Sequence, residues 1–469
     1  MKTRTNIEAH PTGHPKPEMG ALSFDAYVGM RRAPTRSEPL NTPHDIWTLS
    51  NGIRAVVAPQ PQLHRAHVAL WVRVGSRFEA AQTNGISHFL EHMIYRGTSS
   101  RPSAHDVNLA FERLGGSLFA STQVDHGIFS LSLPAESLDA ACALFGEVLA
   151  QPAFVDIDIE RGIVLEEILE DVDDEGRQVD ADNLSRALIY PDHPLGFTIT
   201  GQQAQLRAFD EPLLRAHHAR HYTTDNVVLS FSGNVDSATA RRLGERDFGG
   251  LPAGRRVSAL PPPREQQRAR VQIVDNLSSQ TELRICFQAL SEGDPLRPAL
   301  DVMMRIIDDG MSTRLYHRLC DARGLCYAVS AGYDGYEDDG VVDVAASVQH
   351  KRAALVAREI LSMFDELVTE GPTSDELEKA RKRIVWDARE LSDSAEEMSG
   401  FLASGLLFGR FSTPEDHVGE LLRVGAEEVR EVARRVIRPQ ALNAIAVGLL
   451  EGGEDVRFQN VVTGWQGPK

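Results

Sequence analysis

The sequence predicts an α+β protein built by duplication, with two structured halves of similar element order joined by a proline-rich connector. Three observations carry that reading. Leu251–Arg270 (LPAGRRVSALPPPREQQRAR) holds three consecutive prolines among charges and little apolar periodicity; polyproline is stiff and extended, which suits a connector. On either side of it, stretches of period-two hydrophobicity alternate with stretches of helical spacing. The order of those stretches repeats in the second half.

Residues 1–40 are rich in Pro, His, Arg and Thr and are expected to form a flexible arm. The first domain, residues 41–250, opens with a strand alternating Val68, Leu70, Val72 and Val74. A helix follows, then a second helix ending at Gly115-Gly116. The next strand sets Phe129, Leu131 and Leu133 on one face and Ser130 and Ser132 on the other. A helix then carries Leu138, Cys142, Phe145 and Leu149 at helical spacing. In the second domain, residues 271–455, a strand alternates Leu283, Ile285 and Phe287, and a helical stretch runs from Arg297 to Ile307. A strand with Val342, Val344, Ala346 and Val348 comes next, then a helix with Val356, Ile360, Phe364 and Leu367 on one side. Thr373 and Glu376 form a capping-box signal for another helix.

With 49 Lys+Arg against 67 Asp+Glu, the net charge of −18 argues against a general nucleic-acid binder, which needs a clustered basic excess. Four cysteines, none in CxxC spacing, are too few for a disulfide framework and suit a reducing compartment. The N-terminus has no signal-peptide core, and no stretch approaches the roughly 18 apolar residues of a membrane span. A cytoplasmic protein without membrane insertion is expected.

The stretch with chemistry is Gly85–Gly97. His88 and His92 are i, i+4 on one helix face and can place two imidazole nitrogens on one zinc ion. Glu91 lies beside them and can accept a proton from a water at such a centre. Thr83, Asn84 and Ser87 are candidate N-caps, and Gly97 supplies the stop. A catalytic zinc needs a third protein ligand and an open position. The segment Ile159–Ile168 supplies it: Glu160 and Glu167 are seven apart and share a helix face, from which Glu166 points about 100° away. Glu167 is therefore assigned as the third metal ligand. Glu160 is either a positioning carboxylate or a solvated helix charge.

HFLEH followed by RGT, then Gly115-Gly116 with a short strand, then ERGIVLEEI, resembles the inverted-zincin peptidases of the insulinase, pitrilysin and mitochondrial processing peptidase family. The resemblance extends to Gly310–Tyr316 and Arg323–Tyr327. It implies a pair of homologous α/β sandwiches and a zinc endopeptidase with one Zn2+ per chain on His88, His92 and Glu167, with Glu91 as general base. Half-length members pair as dimers around a chamber that admits unfolded peptides. The strand Ser117–Thr122 would pair with substrate backbone, so Phe119, Ala120 and Ser121 are the expected substrate-binding residues.

The sequence departs from the family pattern in two places. Phe119 stands where relatives carry an Asn. Relatives also present an Arg and, seven residues later, a Tyr that steady the substrate carbonyl. Tyr327 matches the Tyr, but the Arg position holds Cys320. A thiol cannot replace a forked guanidinium. Arg318 and Arg323 lie nearby but, on a helix, would point roughly 160° and 60° away from residue 320. The expectation is a heterodimer whose homologous partner supplies the Arg–Tyr pair; the alternative is a homodimer in which Arg323 compensates. A non-catalytic assembly subunit is the other functional reading. Glu166–Glu175, with seven acidic residues in ten, is either a solvated helix end or a selector of basic side chains.

Overall fold

Alternating side chains of the first half assemble one six-stranded sheet, and those of the second half a five-stranded one. In the computed structural model, residues 42–263 and 266–468 are described; the arm expected over residues 1–40 lies outside them. The first sheet comprises β1 (Asp45–Thr48), β2 (Arg54–Pro59), β3 (Arg65–Val72), β4 (Ser117–Thr122), β5 (Gly127–Pro134) and β6 (Val227–Gly233), in the order β1-β2-β6-β3-β5-β4. The second comprises β7 (Arg270–Val274), β8 (Thr281–Ala289), β9 (Cys326–Gly335), β10 (Gly340–Val348) and β11 (Leu442–Val447), in the order β7-β11-β8-β10-β9. Setting β1 aside, the orders superpose strand for strand. The one parallel pair of each sheet also matches, β2 with β6 and β7 with β11. Duplication is thus written in the topology, with β4 and β9 as equivalent outermost strands.

The helices of the first half are α1 (Ile86–Ile94), α2 (Ala104–Glu112), α3 (Leu138–Ala150), α4 (Ile157–Ile168), α5 (Ala181–Ile189), α6 (Gln203–Leu206), α7 (Glu211–His221) and α8 (Ser237–Phe248). The main helices that follow are α9 (Arg297–Ile307), α10 (Arg314–Tyr316), α11 (Ala353–Glu370), α12 (Ser374–Leu391) and α13 (Ala395–Leu407). Thr373 and Glu376 close the capping box that starts α12, as read from the sequence.

Each sheet is covered on both faces, which the simple in–out alternation did not anticipate. Val68, Leu70 and Val72 join Phe129, Leu131, Leu229 and Phe231 in a core with Phe89 and Leu90 of α1 and Phe145 of α3. The intervening Ala69 and Trp71, with Val56, Ala58 and Val228, are buried against Met398, Leu402 and Leu407 of α13, a helix from the second half. Ser399 Oγ donates to Ser230 Oγ at 2.8 Å in this contact. The exchange is mutual: α5, from the first half, places Ala181 and Leu184 against Ile445 and Val447 of the second sheet. Strands buried on both faces need apolar side chains at successive positions.

At Val257 the connector is docked on the first half. Val257 is buried, its amide donates to Asn226 Oδ1 at 2.8 Å, and its carbonyl accepts from Arg73 Nε at 2.9 Å. Arg73 also pairs with Glu337 at 2.5 Å, and Arg77 pairs with Asp338. The turn between β9 and β10 is thereby fastened to the first half.

Leu402, 1% exposed, is a direct probe of the exchange. Leu402→Ala is expected to cost about 3 kcal/mol, read as a lower urea midpoint, because it opens a cavity in a close-packed contact. Buried neutral histidines add a pH term. Burial holds His67 and His221 down at about 4. A base with a depressed folded pKa takes up a proton on unfolding, so its stabilisation is complete above about 6.5 and is lost as pH falls toward 4. Carboxyls raised by burial oppose this, Asp339 at about 6 and Glu79, Glu91 and Glu167 among them. Between pH 7 and 5 His67→Gln should therefore lose about 2 kcal/mol less stability than the native chain, read from urea midpoints at the two pH values.

Candidate active site

Helix α1 begins at Gly85, in the left-handed region at φ 92, where a Cβ would meet the Cα of Gly201 at 2.7 Å. None of Thr83, Asn84 and Ser87 caps it. The cap is Glu79, whose buried carboxylate accepts from the amides of Gly85 and Ser87, each at 2.8 Å, and from Asn84 Nδ2 at 3.0 Å. A carboxylate at this end satisfies free amides and complements the helix dipole. Phe89, Leu90 and Met93 anchor the buried face of α1 and leave the motif residues on the face toward α4 and β4.

There the structure brings His88, His92 and Glu167 together. One ligand atom from each lies within 4.8 Å of the others, the only such group of three among the described residues. His88 Nε2 is 3.4 Å from Glu167 Oε1, and His92 Nε2 is 3.7 Å from Glu167 Oε2. Glu166, on the same helix, is exposed. Burial and then the neighbouring His92 hold His88 at about 3, so its ring is neutral and its lone pair is available. For His92 burial pulls downward, but Glu160, Glu91 and Glu167 outweigh it and the net shift is upward. Burial raises the carboxyls of both Glu91 and Glu167. Two imidazoles and one carboxylate with room for a fourth partner form a donor set suited to a tetrahedral zinc ion.

Glu160 is buried at 6% exposure and is no solvated charge. It accepts from His92 Nδ1 at 2.8 Å and pairs with Arg96 at 3.0 Å. That bond fixes the ring so that Nε2 faces the cluster. Glu91 accepts a hydrogen bond from Thr122 Oγ1 at 2.6 Å through Oε2.

Besides Glu79, two residues of this site escaped the sequence reading. Thr122 ends the strand that was expected to contact substrate, and only folding shows it turned inward to Glu91. Arg96 lies four residues past His92, and that i, i+4 spacing was its one signal. It braces Glu160 and also reaches Asp156 at 3.3 Å.

The other expected residues are dispersed. Phe119 is 51% exposed on β4, and Ala120, its neighbour, packs toward the core. Phe119, Ala120 and Ser121 therefore do not share a face, as period-two geometry requires. Tyr327 stands on β9, 91% exposed. Cys320 lies in a π-helical turn, His317–Asp321, so the helical angles expected for Arg318 and Arg323 do not apply. Both arginines are engaged by α11: Arg318 with Glu366 at 2.7 Å and Glu359 at 3.2 Å, Arg323 with Glu359 at 2.5 Å. In the acidic run, Asp171 accepts from Asn183 and Asp173 from Arg177, organising a turn, whereas Glu166, Glu170, Asp174 and Glu175 are exposed.

Two family models match the chain: "Insulinase (Peptidase family M16)" over residues 54–202 and "Peptidase M16 inactive domain" over residues 209–384. An uncharacterized zinc protease of Mycobacterium tuberculosis is 31% identical over 400 residues, covering 83% of this chain and 90% of its own. The uncharacterized zinc protease YmxG of Bacillus subtilis is 28% identical over 395 residues, covering 83% and 95%. Among solved structures, a protease from Helicobacter pylori superposes with a TM-score of 0.80 at 20% identity, covering 87% of this chain and all of that one. A peptidase M16 inactive domain from Pseudomonas fluorescens gives the same score and identity over 87% and 98%. With the duplicated α+β fold and this extent of likeness, the chain belongs to the insulinase family of peptidases, family M16.

Proposed function

We propose that this chain is a zinc-dependent endopeptidase that cleaves peptides or unfolded leader segments inside a dimer chamber. The observation that carries the proposal is the convergence of His88, His92 and Glu167 beside Glu91, itself held by Thr122. His88, His92 and Glu167 would hold the zinc. When bound, the ion supplies Lewis acidity that makes a water acidic and polarises a peptide carbonyl.

The remaining work belongs to the chain. Thr122 occupies one oxygen of Glu91 and leaves the other to take a proton from water and pass it to the leaving amine. Burial, by raising the Glu91 carboxyl, brings its proton affinity closer to working pH. Glu160 and Arg96 keep His92 in one orientation. The free edge of β4 offers backbone groups to an extended peptide, with Phe119 facing outward beside them.

The second reading, an assembly subunit, is favoured by the second half. Cys320 takes the place of an arginine, and Arg318 and Arg323 are committed to α11. Both guanidiniums are thus held by carboxylates of α11. A heterodimer reconciles the two readings: this chain provides the metal site, and a homologous partner provides the Arg–Tyr pair.

Glu91→Gln is expected to retain zinc and lose at least ~10² in turnover, since it removes the proton acceptor and preserves size. His88→Ala should lose metal and activity together; stoichiometric zinc in that variant would remove His88 from the ligand set. Unchanged turnover of an assembled complex carrying Glu91→Gln would establish the assembly role.

Glu167→Ala should weaken zinc in a chelator titration more than Glu166→Ala does, because Glu166 is exposed away from the cluster. Purified alone with zinc, the chain is expected to cleave a fluorogenic peptide library poorly and to gain activity on adding its homologous partner. Robust cleavage by the chain alone would overturn the heterodimer.

A further inference from the structure

The position that lacks the family's arginine has acquired a neighbour of its own kind. Cys320 Sγ and Cys326 Sγ lie 3.5 Å apart, both half-buried. One lies in the last part of the π-helical turn and the other opens β9. Between them Asp321, Ala322, Arg323 and Gly324 are exposed, and Gly324 adopts φ 55, so the chain doubles back over five residues. By contrast, Cys142 and Cys286 are each at most 1% exposed. Beside the pair, Val348 faces Cys326 while Ala346 faces Val329, so Tyr327 and Ala328 bulge opposite Ser347 alone.

We propose that Cys320 and Cys326 form a reversible dithiol–disulfide site, oxidised by low-molecular-weight disulfides, that controls how the β9 bulge presents Tyr327. Bond formation requires the sulfurs to close from 3.5 Å to about 2.05 Å, a shift of about 1.5 Å in an exposed loop. The chemistry is two thiol–disulfide exchanges. The thiolate of one cysteine attacks the small disulfide, forming a mixed disulfide and expelling one small thiol. The second cysteine attacks that mixed disulfide at the protein sulfur and expels the other. The protein loses two hydrogens, and one small disulfide becomes two small thiols. In a reducing compartment the pair rests as thiols, and oxidation is a response to a rise in small disulfides. In the reduced state the turn is held by non-covalent contacts, the Leu325 amide donating to the Leu319 carbonyl at 2.7 Å and Arg352 Nη1 to the Gly324 carbonyl at 2.7 Å; the disulfide adds a covalent staple between the turn and the start of the strand that carries Tyr327.

The test uses the full chain and oxidised glutathione, and its readouts are independent of peptidase activity. Intact mass should fall by two hydrogens. A tryptic digest without reductant should then join Leu319–Arg323 to Gly324–Lys351, and dithiothreitol should restore both peptides. Cys320→Ser and Cys326→Ser should each stop at a stable single glutathione adduct, the trapped intermediate. Amide hydrogen exchange over residues 321–328 should slow on oxidation of the native chain. Persistent glutathione adducts on the native chain without the joined peptide, or no reaction at either cysteine, would overturn the site. An unchanged exchange rate with the joined peptide present would overturn the control of Tyr327.

Discussion

Each sheet of this molecule has two apolar faces, and in each half a helix from the other half lies on the second one. α13 crosses to cover Ala69, Trp71 and Val228, and α5 crosses to cover Ile445 and Val447. Each buried Leu, Met or Val is worth roughly 1.5–3 kcal/mol against exposure, so neither sheet can shed its borrowed helix cheaply. The exchange ties the halves into one unit, and the docked connector and the Arg73–Glu337 and Arg77–Asp338 pairs secure it. The two edge strands, β4 and β9, are therefore held in a set relation.

Within that frame the site is a matter of crossing two helices. α1 brings two imidazoles and a carboxylate; α4 brings the Glu167 carboxylate to them and Glu160 as a brace. The brace does much of the positioning, because Glu160 grips both His92 and Arg96 and so spans the last turn of α1. Glu79 secures the other end of the helix. A helix of nine residues is too short to be stable by propensity alone; its ends and its buried face hold it.

The duplicated scaffold carries this cluster, among the described residues, in its first half. α9 stands between β8 and β9 as α1 stands between β3 and β4, yet α9 carries Val302, Met303, Ile306 and Ile307 into the core and no histidine. The second half keeps the scaffold; Tyr327 is exposed on its outer strand, and Cys320 and Cys326 lie just before it with their sulfurs 3.5 Å apart.

How much of this was legible beforehand depended on range. The helical spacing of His88, Glu91 and His92, the shared face of Glu160 and Glu167, the alternation of β3, β5 and β8 and the Thr373 capping box all follow from local periodicity, which the chain carries in its order of residues. The duplication was legible for the same reason, as one order of elements met twice. Thr122 and Arg96 were not singled out, because each acts on a residue that meets it only after the chain has turned back; Thr122 lies 31 positions from the Glu91 it holds. Glu79 was missed at shorter range, since a cap lying outside the helix's first turn has no fixed spacing to read. The exchange of α5 and α13 was equally hidden, since an apolar helix face does not name the sheet it will cover. Local sequence determined what the elements are and which side chains share a face; tertiary packing decided which faces meet, because that choice minimises exposed apolar area and unpaired buried charge over the whole chain at once.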